Sequence, residues 1–278
     1  MQKIAFLTST AAPENADDVL AAKALVESGR YLVDFIPWQA KTDWRTYDLV
    51  IIRSTWDYTL HLEAFLRTLE AIEAAGTKLL NPASVVKWNQ HKGYLASLEK
   101  SRVLIVPTLF FEGSEEVTIP LAWSQSRFII KPCISASARD THVLTREEIV
   151  TRSFRSKLFK GDWMLQPFLE NITRGEISLH YFGGRFSHGV LKVPKAGDFR
   201  VQEEHGGRFQ TYVPSDELQQ LGQKILSNIK EPLLYARVDL IPYENSYALM
   251  ELELIEPFLN FVWSAHAPGN FMNAVDQF

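Results

Sequence analysis

The sequence has little of what disulfide-bonded, membrane-spanning or nucleic-acid-binding proteins require. Its single cysteine, Cys133, excludes an internal disulfide and is consistent with a reducing compartment. No segment approaches the ~20 consecutive apolar residues of a membrane span, and the apolar run at residues 1–7 is too short for a signal peptide. Basic residues are spread along a chain of net charge −4, so no basic patch stands out. We therefore expect a cytoplasmic protein that binds neither membranes nor nucleic acid.

Familiar ligand motifs are missing as well. Residues 8–13 (TSTAAP) follow the first apolar segment without the Gly-x-Gly-x-x-Gly spacing of a dinucleotide-binding turn, which argues against a reductase with a Rossmann first lobe. No His/Cys spacing typical of zinc sites occurs, and there is no internal repeat. What remains is a chain of 278 residues, 46% apolar and 22% charged, with the composition of an ordinary globular enzyme of one to three domains.

The first third of the chain alternates short apolar segments with helical patterns. Strands are expected at residues 4–7, 33–36, 49–53 and 78–80, and helices at 16–28 and 62–75, each helix ending at a glycine. This alternation predicts a parallel sheet with helices on both faces, which binds ligands beyond the carboxyl ends of its strands. The loops at residues 8–14 and 54–58 occupy such positions.

The pattern changes near residue 90 to that of an α+β protein. We expect a strand at 128–131, a helix at 147–159, hairpins at 176–192 and 236–255, and a helix at 216–229. The predicted fold class is therefore α/β, with α+β character in the later lobes. The predicted domains are residues 1–88, 89–163 and 164–278.

The late hairpin at residues 236–255 is the most informative segment. If residues 244–246 form a three-residue loop, Tyr243 faces Tyr247. The same register places Asp239 opposite Glu251 and Arg237 opposite Glu253.

This register would put Met250, Leu252 and Leu254 on the apolar face of the hairpin and the acidic residues together on the other face. Carboxylates that face each other at roughly 5 Å repel unless a proton, an arginine or a metal lies between them. Oxygen ligands on a rigid strand pair suit Mg²⁺, which completes its shell with nucleotide phosphates. The alternative is a solvated strand face on which Arg237 pairs with Glu253.

Three further segments are candidates for ligand binding. Lys131 ends a strand and precedes a loop of small residues at 135–140, a combination suited to phosphates, although a strand-end lysine facing water has the same pattern. The basic segment at residues 192–208 could stabilise a phosphoryl group in transit, or could be a solvated loop. The aromatic segment at residues 54–58 is either an acceptor pocket or a packing corner. We interpret Cys133 as a buried side chain and not as a nucleophile.

In this order along the chain, the segments resemble the ATP-grasp superfamily. The tail at residues 250–257 (MELELIEP) resembles the Glu-x-Asn…Pro end of prokaryotic glutathione synthetases, with Glu253 in the place of the Asn and Asp239 in the place of their metal-binding Asp. Residues 192–208 resemble their basic-x-Pro…Gly…Arg…Gly-Gly-Arg stretch. The motifs RSTWDY at 53–58, WNQHKGYL at 88–95, KP…SASA at 131–138 and SHG at 187–189 are similar to the O-ureido-serine cyclo-ligase group of cycloserine biosynthesis and its relatives.

This resemblance implies an ATP-grasp fold, in which a parallel-sheet N-terminal domain precedes two α+β lobes that hold ATP between them. It implies an ADP-forming carboxylate-amine ligase with ATP and Mg²⁺, or alternatively Mn²⁺, as cofactors and a small amino-acid-like molecule as substrate. A homo-oligomer is compatible with it. A kinase with the same nucleotide site and a non-catalytic nucleotide-binding module are the alternatives.

The resemblance also assigns roles to individual residues. The implied nucleotide contacts come from Lys92, Lys131, Ser135, Ser137, Gln166, Phe168, Leu169, Glu170 and Glu176. The implied metal ligands are Asp239, Glu251 and Glu253, and the implied catalytic residues are Arg200, Lys192 and Arg237. The expected substrate contacts are Arg53, Trp56, Asp57, Tyr58, Gly206 and Gly207.

Overall fold

A four-stranded parallel sheet forms the start of the chain, in a computed structural model that describes residues 1–11, 15–113, 115–136, 138–151, 154 and 161–278. Its strands are β1 (Gln2–Thr8), β2 (Tyr31–Pro37), β3 (Leu49–Ile52) and β4 (Lys78–Leu80), in the order β2-β1-β3-β4. The helices α1 (Ala16–Glu27) and α2 (Leu62–Ala74) connect them. The predicted alternation of strands and helices is confirmed here.

Alternate residues of β1 point to opposite faces of this sheet, and both faces are buried. Ile4 and Phe6 pack in one cluster with residues of α1 and of the last helix, α7 (Ala267–Val275). Ala5 and Leu7 pack on the other side with residues of α2. The end of the chain therefore returns to complete the first core.

A second, antiparallel sheet follows two short helices that the sequence analysis did not predict, α3 (Ala83–Asn89) and α4 (Tyr94–Lys100). Its strands are β5 (Leu109–Glu112), β6 (Arg127–Pro132), β7 (His142–Thr145) and β8 (Asp162–Pro167), in the order β5-β8-β6-β7. The helix expected at 147–159 is described as α5 (Arg146–Val150), capped by Thr145 and Glu148. Residues 152, 153 and 155–160 of that prediction lie outside the described residues.

The third sheet is antiparallel and has the order β11-β10-β9-β12-β13. Its strands are β9 (Glu176–Phe182), β10 (Arg185–Val193), β11 (Arg208–Tyr212), β12 (Tyr235–Tyr243) and β13 (Ser246–Glu253). Helix α6 (Asp216–Leu226) covers it, and the hydroxyl of Tyr181 donates a hydrogen bond to the carbonyl of Gln219 in that helix at 2.8 Å. The three sheets follow the predicted order, whereas the boundaries 1–88, 89–163 and 164–278 stay predictions.

The late hairpin differs from the prediction at its turn and agrees with it further along. Tyr243 pairs with Ser246 and not with Tyr247, so the loop has two residues where three were expected. A β-bulge then shifts the register between Asp239 and Leu240, because β13 carries one extra residue there. Beyond the bulge, Asp239 faces Glu251 and Arg237 faces Glu253, as predicted.

The bulge also changes the orientation of Met250. Leu252 and Leu254 lie in the main core as expected, but Met250 packs in a different cluster with Phe168 and Ile241. The expectation that Met250 shares the apolar face of Leu252 is wrong, because an extra residue in a strand reverses the alternation of side chains beside it.

No helix within the described ranges combines the length and apolar character needed to cross a membrane. Cys133 is fully buried, and burial raises the pKa of its thiol to about 12, so it stays protonated and unreactive at neutral pH.

Candidate functional site

A cavity of about 520 Å³ lies where the second and third sheets meet the loop after β3. Its walls include Lys131 of β6, Gln166 of β8, Lys192 of β10 and Asp239 of β12. The loop after β3 contributes Trp56 and Tyr58. Parts of the chain that are far apart in sequence therefore share one cavity.

One part of the cavity is apolar. The side chains that form it pack in a single cluster and include Ile129, Phe168, Leu169, Ile172, Val201, Ile241 and Met250. The side-chain amide of Gln166 donates to the hydroxyl of Thr108 at 2.9 Å, and the backbone N–H of Phe168 donates to the carbonyl of Arg127 at 3.0 Å. An apolar slot of this kind fits a flat aromatic ring.

The cavity-lining residues of β13 and of the segment after it include apolar, acidic and aromatic side chains. Met250 belongs to the apolar part, Glu251 and Glu253 come next, and Glu256 and Phe258 follow beyond the end of the strand. A ligand that filled this cavity would meet apolar, charged and aromatic groups.

Two lysines approach the carboxylate of Glu251. Lys92 Nζ lies 2.9 Å from Glu251 Oε1 and donates to the carbonyl of Ser135 at 3.0 Å. Lys131 lines the same cavity, and the described part of the chain provides no ion pair for its ammonium group. Burial lowers the pKa of Lys131, although Glu251 opposes this shift. The site therefore holds a desolvated cation that an anionic ligand would neutralise.

Arg237 lies between two carboxylates. Its Nη2 is 2.9 Å from Asp239 Oδ2 and also contacts Glu253 Oε1. Burial alone would raise the pKa of Asp239, but Arg237 and Lys192 outweigh it and hold the pKa at about 2. Burial raises the pKa of Glu253 to about 7 despite Arg237, because Asp239 and Glu251 repel its charge.

Lys192 of β10 contacts one carboxylate on β9 and another on β12. Its Nζ lies 3.2 Å from Glu176 Oε1 and 3.5 Å from Asp239 Oδ1. Burial raises the pKa of Glu176, and Lys192 works against that shift. Lysine and arginine side chains thus compensate several of the carboxylates.

The carboxylates supply the oxygen atoms that Mg²⁺ prefers, but they are not arranged as a finished metal site. Within the described ranges, no three His, Cys, Asp or Glu side chains are grouped closely enough to hold a metal ion. The reason is that Arg237 lies between Asp239 and Glu253, while Lys92 holds Glu251. This donor set fits Mg²⁺ that arrives with phosphate oxygens, which complete its shell and compete for the lysines and the arginine.

Comparisons with known proteins agree on one fold. The family model described as the N-terminal domain of D-cycloserine synthetase DcsG matches residues 4–81. The cycloserine biosynthesis protein DcsG of Streptomyces lavendulae is 29% identical over 263 residues, which cover 86% of this chain and 86% of that protein. The crystal structure of D-cycloserine synthetase DcsG has a TM-score of 0.86 at 23% identity and covers 99% of both chains.

A more distant structure is the ATP-grasp ligase PsnB in complex with a minimal precursor, Mg and ADP. It has a TM-score of 0.68 at 15% identity, over 99% of this chain and 97% of PsnB. This chain shares the fold of these two structures. Its α/β fold, with one parallel and two antiparallel sheets, is the ATP-grasp fold that the sequence resemblance implied.

Most residues that the ATP-grasp resemblance singled out line this one cavity. They are Trp56, Tyr58, Lys92, Lys131, Ser135, Gln166, Phe168, Leu169, Glu176, Lys192, Arg200, Arg237, Asp239, Glu251 and Glu253. Arg200 lies at its edge, where its Nη2 pairs with Asp198 Oδ2 at 2.9 Å. Ser137 lies outside the described residues. Their roles toward ATP, metal and substrate stay predictions.

Other members of the predicted set do not line the cavity, because each already has a structural contact. Arg53 is 2% exposed and pairs with Asp18 at 2.9 Å. Asp57 accepts hydrogen bonds from Trp38 Nε1 at 2.8 Å and from Gln39 Nε2 at 2.6 Å.

Glu170 and the glycine pair also lie away from the cavity. The carboxylate of Glu170 is 72% exposed and pairs with Arg127 Nη2 at 2.7 Å. Gly206 and Gly207 close a tight turn in which a Cβ on Gly207 would lie 1.9 Å from the carbonyl oxygen of Val201. Their part is to shape the segment that carries Val201 into the cavity wall.

Glu256 is a cavity residue that the sequence analysis missed. Burial raises the pKa of its carboxyl to about 8, and the neighbouring Glu253 adds to the shift. The only sequence signal was a third acidic residue in the tail at 250–257, directly before Pro257.

Proposed function

We propose that this protein is an ATP- and Mg²⁺-dependent, ADP-forming ligase that activates a carboxyl or ureido group of a small amino-acid-like substrate for attack by an amine. The observation that carries the proposal is the half-buried ammonium group of Lys131, which lacks an ion pair among the described residues and shares a cavity with the facing carboxylates of Asp239 and Glu251. Such a site favours a polyphosphate accompanied by a divalent cation. The shared fold with the ATP-grasp ligase PsnB, which was solved with Mg and ADP, supports the same conclusion.

In this proposal the apolar slot around Phe168, Leu169 and Met250 takes the adenine ring, and Lys92 and Lys131 bind phosphate oxygens. Because Lys92 pairs with Glu251 before nucleotide binds, it would exchange that carboxylate for a phosphate. Mg²⁺ held by Asp239, Glu251 and Glu253 would supply charge neutralisation at the β- and γ-phosphates.

The chemistry then requires positioning and charge stabilisation, without a protein nucleophile. A substrate carboxyl or ureido oxygen attacks the γ-phosphorus in line, the bond to ADP breaks, and an acyl-phosphate-type intermediate forms. Arg200, Lys192 and Arg237 would stabilise the transferred phosphoryl group. An amine nitrogen next attacks the activated carbon, inorganic phosphate leaves, and the nitrogen loses a proton.

The amine would come either from the same molecule, which closes a ring, or from a second substrate, which gives a peptide-like bond. Trp56 and Tyr58 line the same cavity without belonging to the apolar cluster that forms the slot. In this proposal they form the acceptor pocket.

The decisive experiment incubates the protein with Mg·ATP and a panel of amino acids and ureido-substituted amino acids, with product mass and phosphate release measured. A ligase produces an amide or a ring together with free phosphate, in equal amounts with ADP. A stable phosphorylated product would show a kinase instead, and Mg·ATP binding with no turnover across the panel would show a binding module.

The Glu251→Gln variant tests the metal assignment in the same assay. It should lose turnover and remain folded, since Gln has the same shape but a weaker affinity for Mg²⁺. Its melting temperature should fall, because Lys92 loses its charged partner. The matched control is Glu70→Gln, which removes an exposed ion pair with Lys87 and should keep full activity. Full activity in Glu251→Gln would refute the assignment.

A further inference from the structure

The segment after β13 is held in place by hydrogen bonds to its carbonyl groups. The hydroxyl of Tyr235 donates to the carbonyl of Ile255 at 2.7 Å, and Arg53 Nη2 donates to the carbonyl of Pro257 at 3.2 Å. His188 Nε2 lies 2.9 Å from the carbonyl oxygen of Leu259. Glu256 is therefore fixed between two anchored residues and faces the cavity.

The carboxyl of Glu256 has no ion pair or hydrogen bond within the described part of the chain. The nearest cations act on it only at longer range and are already engaged, Lys92 with Glu251 and Arg237 with Asp239. Burial raises the pKa of Glu256 to about 8 for this reason. A carboxyl in this position would be stabilised by a cation brought in by a ligand.

Aromatic side chains line the same cavity. The rings of Trp56 and Phe258 lie 4.9 Å apart, and both line the cavity. Tyr58 is only 5% exposed, and its hydroxyl has no hydrogen-bond partner among the described residues. Burial raises the pKa of Tyr58, and the charge of Glu256 adds to this shift.

We propose that Glu256, together with Tyr58 and the rings of Trp56 and Phe258, binds the ammonium group of the amino-acid-like substrate. A carboxylate that shares a cavity with aromatic rings attracts an organic ammonium ion, whereas a divalent metal prefers several oxygen ligands. Arg53 is a positioning residue in this arrangement, since it holds Pro257 from behind. The inference rests on the proposed function, because it assumes that the ligand beyond the phosphates is an amino acid.

The test is a calorimetric titration that compares small amino acids with hydroxy acids of the same carbon skeleton. The pairs are alanine with lactate and serine with glycerate, each in both enantiomers. Titrations are run with and without saturating Mg·ADP. The wild-type protein should prefer at least one amino acid to its hydroxy acid by about tenfold or more, since only the amino acid neutralises a buried carboxylate. In Glu256→Gln this preference should disappear.

The control variant Glu63→Gln carries the same substitution at a position that is 92% exposed, and it should keep the wild-type preference. Tyr58→Phe should weaken amino-acid binding less than Glu256→Gln does. A preference that survives in Glu256→Gln, or that is absent from the wild-type protein, overturns the inference.

Affinity for Mg·ADP, measured alone, separates this inference from the proposed function. Glu256→Gln should bind Mg·ADP as the wild-type protein does. Failure of the wild-type protein to bind Mg·ADP would contradict the ligase proposal. A loss of Mg·ADP binding in Glu256→Gln alone would show that Glu256 is part of the nucleotide site, and this would overturn the ammonium assignment.

Discussion

Arg53 and Pro257 are 204 positions apart in the chain, yet Arg53 Nη2 donates a hydrogen bond to the carbonyl oxygen of Pro257 at 3.2 Å. Arg53 also pairs with Asp18, and both side chains are almost completely buried. The first sheet is thus connected directly to the segment that carries Glu256 into the cavity. Arg53, which was predicted to contact substrate, holds the backbone of Pro257 next to the cavity residue Glu256.

Arg53→Met should lower the free energy of unfolding by about 3–5 kcal/mol, because it leaves the carboxylate of Asp18 buried without its partner. Urea denaturation followed by circular dichroism measures the change. The matched control is Arg45→Met, which breaks an exposed pair with Asp43 and should leave the free energy of unfolding nearly unchanged. Equal losses in the two variants would show that the buried pair has no special importance for stability.

Lys131→Met should have opposite effects on stability and on nucleotide binding. Burial lowers the pKa of Lys131, so its charged form is disfavoured in the folded protein, and its removal should raise the free energy of unfolding by roughly 1 kcal/mol. Mg·ATP affinity should fall by roughly ten- to a hundredfold, because a charged hydrogen bond to phosphate is lost.

Equilibrium binding of Mg·ATP and thermal unfolding measure the two effects of Lys131→Met. Lys87→Met is the control, because Lys87 is half exposed and pairs with Glu70 on the surface. Unchanged nucleotide affinity in Lys131→Met would show that Lys131 does not bind the nucleotide.

The fold was largely predictable because its signals are local. The alternation of strands and helices in the first third follows from hydrophobic spacing along short segments. The hairpin turn was mispredicted by one residue, and the bulge near Met250 restored the expected pairing of the acidic residues. Sequence alone does not reveal such a bulge, since an inserted residue leaves each flanking pattern intact.

The site was less predictable because its details depend on contacts between distant segments. Arg53 and Asp57 have the residue types and strand-end position of ligand-binding residues, but their side chains bond to Asp18 and Trp38. Glu256 looked like an ordinary acidic residue, and only burial beside Tyr58 distinguishes it. Neither burial nor the partner of a side chain can be obtained from spacing within one segment.

Gly207→Ala should disturb the cavity wall, because its added methyl group would lie 1.9 Å from the carbonyl oxygen of Val201. The turn must open, so turnover should fall by up to about a hundredfold through misplacement of the wall, with a loss of about 1–3 kcal/mol in stability. Phosphate release and thermal unfolding measure the two effects.

The control for Gly207→Ala is Gly269→Ala in α7, where an added Cβ meets no atom within 4 Å. Alanine there should increase stability by roughly 0.5–1 kcal/mol, because it restricts the unfolded chain, and should leave turnover unchanged. Wild-type turnover in Gly207→Ala would show that the turn tolerates the shift.

Glu256→Gln should become more stable relative to the wild-type protein as the pH rises. The ordinary pKa of a glutamate is 4.5, and burial raises that of Glu256 to about 8, so between these values the folded protein holds a proton that the unfolded chain has released. This contribution of Glu256 to the free energy of unfolding is fully present below about pH 4.5 and is lost as the pH rises through 8. Glutamine does not titrate, and the variant lacks this loss.

The melting temperatures of Glu256→Gln and the wild-type protein, measured from about pH 5 to about pH 9, test this sign. The difference between them should grow in favour of the variant up to about pH 8 and then level off. Above that value Glu256 is ionised in both the folded and the unfolded wild-type protein. The exposed control Glu63→Gln is measured over the same range. A difference for Glu256→Gln that does not depend on pH would mean that the Glu256 carboxyl is already ionised in the fold and needs no cation from a ligand.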